Sequence, residues 1–121
     1  MKKLLLLFAG AVLLAASSLR AEETPAAVTP FLGTWRCAET TMQFTVDLAN
    51  GVIRFQAVDT ADGEKFGIKD VLLKDGVLRV TQRMPSTNRT TPAEYRSTGK
   101  GTLEERSTGD WEGTLIWQRK N

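Results

Sequence analysis

From Phe31 onward the chain alternates apolar and polar residues with a period of two, and turn residues punctuate the alternation. No helical period of useful length is present there. The plainest case is Thr41 to Val58. Met42, Phe44, Val46 and Leu48 alternate with Thr41, Gln43, Thr45 and Asp47, and Asn50-Gly51 follows. A two-residue type I′ turn needs positive φ at both central positions, which asparagine and glycine tolerate best. Such a turn sets Leu48 opposite Ile53, Val46 opposite Phe55 and Phe44 opposite Ala57, with Asp47 facing Arg54 and Thr45 facing Gln56 on the other side. Apolar pairs then share one face and an opposite-charge pair the other; a slip of one residue would exchange the faces.

Asp75-Gly76 makes a second turn of this kind. It sets Leu73 against Leu78, Val71 against Val80 and Leu72 against Arg79. Phe66 and Ile68 have the wrong parity to join that core face in an unbroken strand, so the pattern predicts a bulge near Lys69-Asp70, where one extra residue restores the phase. Residues 93–98 carry Tyr95 as their one large apolar side chain. A three-residue loop at Thr108-Gly109-Asp110 sets Leu103 against Leu115 and Arg106 against Glu112, and Trp111, Gly113, Leu115, Trp117 and Arg119 share a face of the last strand. With a first strand over Gly33 to Ala38, about eight strands result, and the longest joins run from Asp59 to Glu64 and from Pro85 to Pro92. Short joins make sequential strands antiparallel neighbours. The expected fold is all-β: a small up-and-down barrel, which removes exposed edges, with a two-sheet sandwich as the alternative.

Residues 1–30 read differently. Lys2 and Lys3 precede an uncharged apolar run from Leu4 to Ala16, too short for a membrane span and of signal-peptide length. Small residues follow, and cleavage is expected after Ala21, with Ser18 as the alternative; an uncleaved anchor is the competing reading. The short basic start resembles a bacterial export signal, so the expected address is the periplasm or the outside medium. Residues 22–30 have the composition of a flexible linker, and 31–121 form one domain. Loss of Lys2, Lys3 and Arg20 lowers the basic count from 16 to 13 against 14 acidic residues, a net charge of −1. A nearly neutral surface argues against nucleic acid or an anionic bilayer as partner.

The chain has no histidine. That removes the commonest general base near neutral pH, the histidine-dependent nucleophile arrangements and the usual zinc sites. The single cysteine, Cys37, excludes an intrachain disulfide and reads as a small buried hydrophobe beside Trp35, with pairing between chains as the alternative. Glu104 and Glu105, adjacent on a strand, point to opposite faces and suit solvation better than joint acid–base work. Asp59, Asp62 and Glu64 lack EF-hand spacing, and Asp62-Gly63 is ordinary turn chemistry. The arginines are not interleaved with aromatics as a single-strand nucleic-acid surface requires. No enzyme, cofactor or metal is expected.

Alternation alone leaves open which face meets water. Membrane strands need about 9–11 residues, whereas these runs have six to eight. Length therefore argues for a water-soluble barrel with its apolar face inside rather than a membrane-spanning one.

Gly33-Thr34-Trp35 at the start of the first strand, and Arg119 two residues past Trp117 on the last, resemble the Gly-x-Trp motif and terminal arginine of the lipocalin-like (calycin) barrels. The stretch Trp111-Glu-Gly-Thr-Leu115 is similar to the closing strand of many small exported bacterial β-domains. The resemblance implies a clamp of Gly33, Trp35 and Arg119 at the barrel base, and a small apolar ligand inside, walled by Trp35, Phe44, Phe55 and Trp117. The chain is shorter than typical lipocalins and has no counterpart of their middle Thr-Asp-Tyr motif. Volume weighs against a large pocket: Met42, Phe44, Val46, Phe55, Leu78, Val80 and the tryptophans suffice to fill an eight-strand interior. The alternative function is a module with a filled core that contacts another exported protein through loops 59–64 and 85–92.

Overall fold

The computed structural model describes residues 25–120; the signal-peptide reading of 1–21 and the first residues of the linker lie outside them. A short helical turn, α1 (Pro25–Val28), runs into a 3-10 turn at Thr29–Phe31. Nine strands follow: β1 (Gly33–Arg36), β2 (Met42–Ala49), β3 (Val52–Asp59), β4 (Glu64–Lys65), β5 (Gly67–Lys74), β6 (Val77–Met84), β7 (Arg89–Gly99), β8 (Thr102–Ser107) and β9 (Gly113–Arg119). All pair antiparallel in one sheet, in the order β4-β3-β2-β1-β9-β8-β7-β6-β5. The sheet curls until β5, at one end, packs against β3 beside the short β4 at the other, so the fold is a nearly closed barrel.

Turn chemistry sets the registers. Asn50 and Gly51 both take positive φ, and Phe44, Val46 and Leu48 lie opposite Ala57, Phe55 and Ile53. Asp47 and Arg54 pair on the outer face through two hydrogen bonds of 2.7 and 2.9 Å. Asp75 and Gly76 repeat the turn and set Leu73 against Leu78. The β5–β6 register shifts between Lys69 and Leu72, with Asp70 at positive φ, so Asp70 and Val71 together oppose Val80. That bulge brings Ile68 and Val71 onto the same core.

Three expectations need correction. β8 and β9 pair Leu103 with Trp117 and Arg106 with Thr114, two residues from the register of a three-residue loop. Residues 108–110 do not turn back there. They run on beside β7, with Thr108 N–H donating to Pro92 O at 3.1 Å, Asp110 N–H to Thr90 O at 3.2 Å and Thr90 N–H to Asp110 Oδ2 at 2.8 Å. The shift is even, so Leu103, Leu115 and Trp117 still face inward, but Trp111 precedes the strand and is 36 % exposed. Next, β7 begins at Arg89, shortening the expected 85–92 join, and at 11 residues it is longer than the strand runs expected. Finally, the segment read as linker is folded from Pro25 onward, and Val28 is fully buried with Phe31 against the barrel.

The interior is mostly apolar, and the exterior carries the charged cross-strand pairs Asp47–Arg54 and Arg79–Glu94 and, within β8, the pair Glu104–Arg106. No helix among the described residues is long and apolar enough to cross a membrane. Cys37 is a free thiol buried in the core.

Candidate functional site

Antiparallel alternation places the tight turns of β2–β3, β5–β6 and β7–β8 at one end of the barrel, with the N-terminal turns. The joins β1–β2, β3–β4, β6–β7 and β8–β9 surround the other. The two ends differ in packing.

The base is solid. Phe44 sits at its centre, with ring centroids 4.7 Å from Trp117, 4.8 Å from Phe55, 4.9 Å from Tyr95 and 6.2 Å from Trp35. Trp35, Phe44 and Trp117 are each no more than 2 % exposed. Below them the Arg119 guanidinium lies 4.7 Å from the Trp35 ring centroid, and it donates to Leu32 O at 3.1 Å and Pro30 O at 3.2 Å. Trp35 Nε1 donates to Phe31 O at 2.9 Å. Gly33, at φ +122°, lets this arginine pass, because a Cβ there would sit 3.3 Å from Arg119 Nε. Gly33, Trp35 and Arg119 therefore join the first strand, the last strand and the N-terminal turns at one point.

The mouth is open. A cavity of about 750 Å³ is walled by Met42 from β2, Phe66 before β5, Met84 from β6, and Trp111 and Leu115 around the start of β9. Gln82 and Glu105 lie at its floor, and Glu39 and Arg89 border it. The Trp111 indole folds over Gly113, whose missing side chain admits it: a Cβ there would be 2.8 Å from Trp111 Cη2. Of the four residues expected to wall a ligand, Trp35, Phe44 and Trp117 fill the base instead. Phe55 borders a second cleft, about 560 Å³, at the β3–β5 seam.

The floor is polar, which the sequence reading missed. Glu105 is only 4 % exposed. Its Oε1 accepts the indole N–H of Trp117 at 2.7 Å, and its Oε2 accepts the Ser107 hydroxyl. Beside it Tyr95 accepts from Gln82 Nε2 at 2.6 Å. Burial pushes the Glu105 carboxyl above its ordinary range, against the pull of these hydrogen bonds. Burial and the neighbouring Glu105 carboxylate push Tyr95 well up as well. Glu104 does face the other way, toward Arg106 at 3.4 Å. The overlooked signal was parity: once Leu103 faces the core, Glu105 and Ser107 must follow it.

The acidic turn 59–64 spends its carboxylates locally. Asp59 Oδ1 accepts from Thr41 Oγ1 at 2.6 Å and Ala61 N–H at 2.9 Å, and Asp62 Oδ1 accepts from Glu64 N–H at 2.9 Å. Glu64 reaches across to Ser86, taking its N–H at 2.6 Å and its hydroxyl at 2.9 Å. These oxygens do not converge on a common point for a cation. Comparison with known protein families, curated proteins and solved structures found no match.

Proposed function

We propose that this chain is an exported, lipocalin-like binding domain that holds a small, largely apolar molecule in the mouth half of its barrel, without catalysing a reaction on it. The mouth cavity carries the reading. Its volume lies in the range of ordinary small-molecule sites, and its walls combine methionine, leucine and aromatic surface with a few polar groups. Methionine side chains adapt to irregular ligand shapes, which suits Met42 and Met84 to that role. The Gly33–Trp35–Arg119 clamp supports the family likeness, and the lack of histidine supports binding over acid–base catalysis. Titration with an uncharged fluorescent probe such as N-phenyl-1-naphthylamine tests it. Saturable enhancement in the wild type, lost in Leu115→Trp, is the expected result; an equal response in both proteins overturns the assignment.

A second reading has one observation in its favour. Glu64 ties the 59–64 turn to Ser86, so two connections at the mouth form a single prearranged surface suited to a protein partner. Under that reading Glu64→Ala weakens capture of an exported partner and leaves probe binding intact.

A further inference from the structure

The binding reading leaves open what kind of molecule enters, and the floor of the cavity narrows it. Strand parity carries Glu105 inward with Leu103 and Ser107, so a carboxyl group stands in the barrel interior. Its hydrogen-bond partners are donors, which suit the ionised form. Trp117 Nε1 can only donate. Ser107 supplies a second donor. These donors give each carboxylate oxygen a partner but bring no positive charge.

None of the cations among the described residues forms an ion pair with Glu105 either. Among the described residues the ion pairs are Arg54–Asp47, Arg79–Glu94, Arg96–Glu94 and Arg106–Glu104, and none involves Glu105. A carboxylate held away from water without a countercharge is costly, and a cation brought against it recovers much of that cost. Glu105 lies in the lining of a cavity open to solvent, so such a cation has a route from outside.

We propose that the cavity is selective for amphiphiles with a protonated amine or amidine head, the head pairing with Glu105 and the apolar body lying against Met42, Met84, Leu115 and Trp111. This inference rests on the mouth cavity being the binding site and adds the charge of its ligand. The raised carboxyl of Glu105 agrees with it, because a nearby ammonium stabilises the ionised form that burial disfavours.

The test compares n-octylamine, n-octanol and octanoate, which share one apolar body, by titration followed through tryptophan fluorescence and calorimetry. In the wild type the amine binds tightest and octanoate weakest. Glu105→Gln preserves shape and weakens the amine on the order of ten- to a hundredfold, as expected for a charge-assisted contact, while octanol keeps its affinity. Amine binding no tighter than octanol, or unchanged in Glu105→Gln, overturns this inference alone. Tighter binding of octanoate also overturns it and assigns the head group to Arg89 at the rim. Absence of saturable binding by all three, or amine binding unaffected by Leu115→Trp, overturns the cavity reading as well.

A second measurement stands if Glu105→Gln does not fold. Alkylammonium keeps its proton to about pH 10, so wild-type amine affinity rises with pH as Glu105 ionises. The other polar and charged groups lining this volume are Glu39, Thr40 and Thr41 from the β1–β2 join, Gln82 from β6, and Arg89 and Thr91 from β7; Trp117 from β9 bonds Glu105 beneath it, and Tyr95 from β7 bonds Gln82. Burial and the charge of Glu105 push Tyr95 well above its ordinary range. Glu39 stands exposed at the rim, so the same titration repeated in Glu39→Gln retains the rise if Glu105 is its source. An affinity that is flat or falls with pH overturns the proposal.

Discussion

Trp117 donates its indole N–H to Glu105 Oε1 at 2.7 Å, and that bond joins the two halves of the barrel interior. The same indole packs T-shaped against Phe44 in the aromatic base, while its nitrogen anchors the polar floor of the mouth. A filled base gives a domain of this size its stability, and it leaves the other half free to hold something else.

Glu105 also gives stability a characteristic pH dependence. Its carboxyl is raised in the folded state, so the folded protein binds its proton more readily than the unfolded chain does. Stability from this group therefore increases as pH falls through the folded-state titration toward the ordinary carboxylate range. Below that range, Asp47, Asp59 and Glu94 act oppositely, because hydrogen bonds to Arg54, Thr41 and Arg79 hold them low and their contribution is lost on protonation. Thermal melts of the wild type should show a mildly acidic maximum. In Glu105→Gln the gain on going from neutral to mildly acidic pH should vanish while the loss at stronger acid persists.

The base clamp predicts a separate loss. Arg119→Ala removes a cation–π contact and two hydrogen bonds to the N-terminal turns, and should cost about 1–3 kcal/mol. Arg119→Lys should recover only part of this, because an ammonium lacks the planar fork. Gly33→Ala forces a side chain into φ +122° and against Arg119, with a cost of similar size. For a domain of this length, about 1 kcal/mol lowers Tm by roughly 4–8 °C. Calorimetry reads all three, and the probe-binding mouth should survive in each.

Two glycines, Gly109 within the β8–β9 join and Gly113 at the start of β9, have different jobs. Gly109 packs on β7, where a Cβ would meet Pro92 Cδ at 2.8 Å and Thr90 O at 2.9 Å, and its φ is +84°. Gly109→Ala should therefore detach the join and lower stability measurably. Gly113→Ala meets only the far edge of the Trp111 ring, which can swing away. It should leave Tm nearly unchanged while shifting Trp111 fluorescence and altering probe affinity.

The legible part of this fold was what local turn chemistry controls. Asn50-Gly51 and Asp75-Gly76 imposed registers that the structure keeps, and the parity break at Phe66 and Ile68 pointed to the bulge at Asp70. The β8–β9 register was not legible, because Thr108–Asp110 is held by β7, a strand distant in sequence. Val28 looked like linker since one buried side chain among prolines and alanines makes no period. The open volume was misplaced for a related reason. Large aromatics drew attention to the base, but open volume depends on where they pack, and parity alone carried the one clue to Glu105.

Nuclear magnetic resonance of the folded domain during titration with n-octanol tests the mouth cavity most directly. Saturable shifts should concentrate on the Met42, Met84 and Leu115 methyls and the Trp111 indole, with Val46 and Leu78 near the base unmoved. Shifts centred on Val46, Leu78 or Ile68 at the seam, or none that saturate, would contradict a barrel solid at one end and receptive at the other.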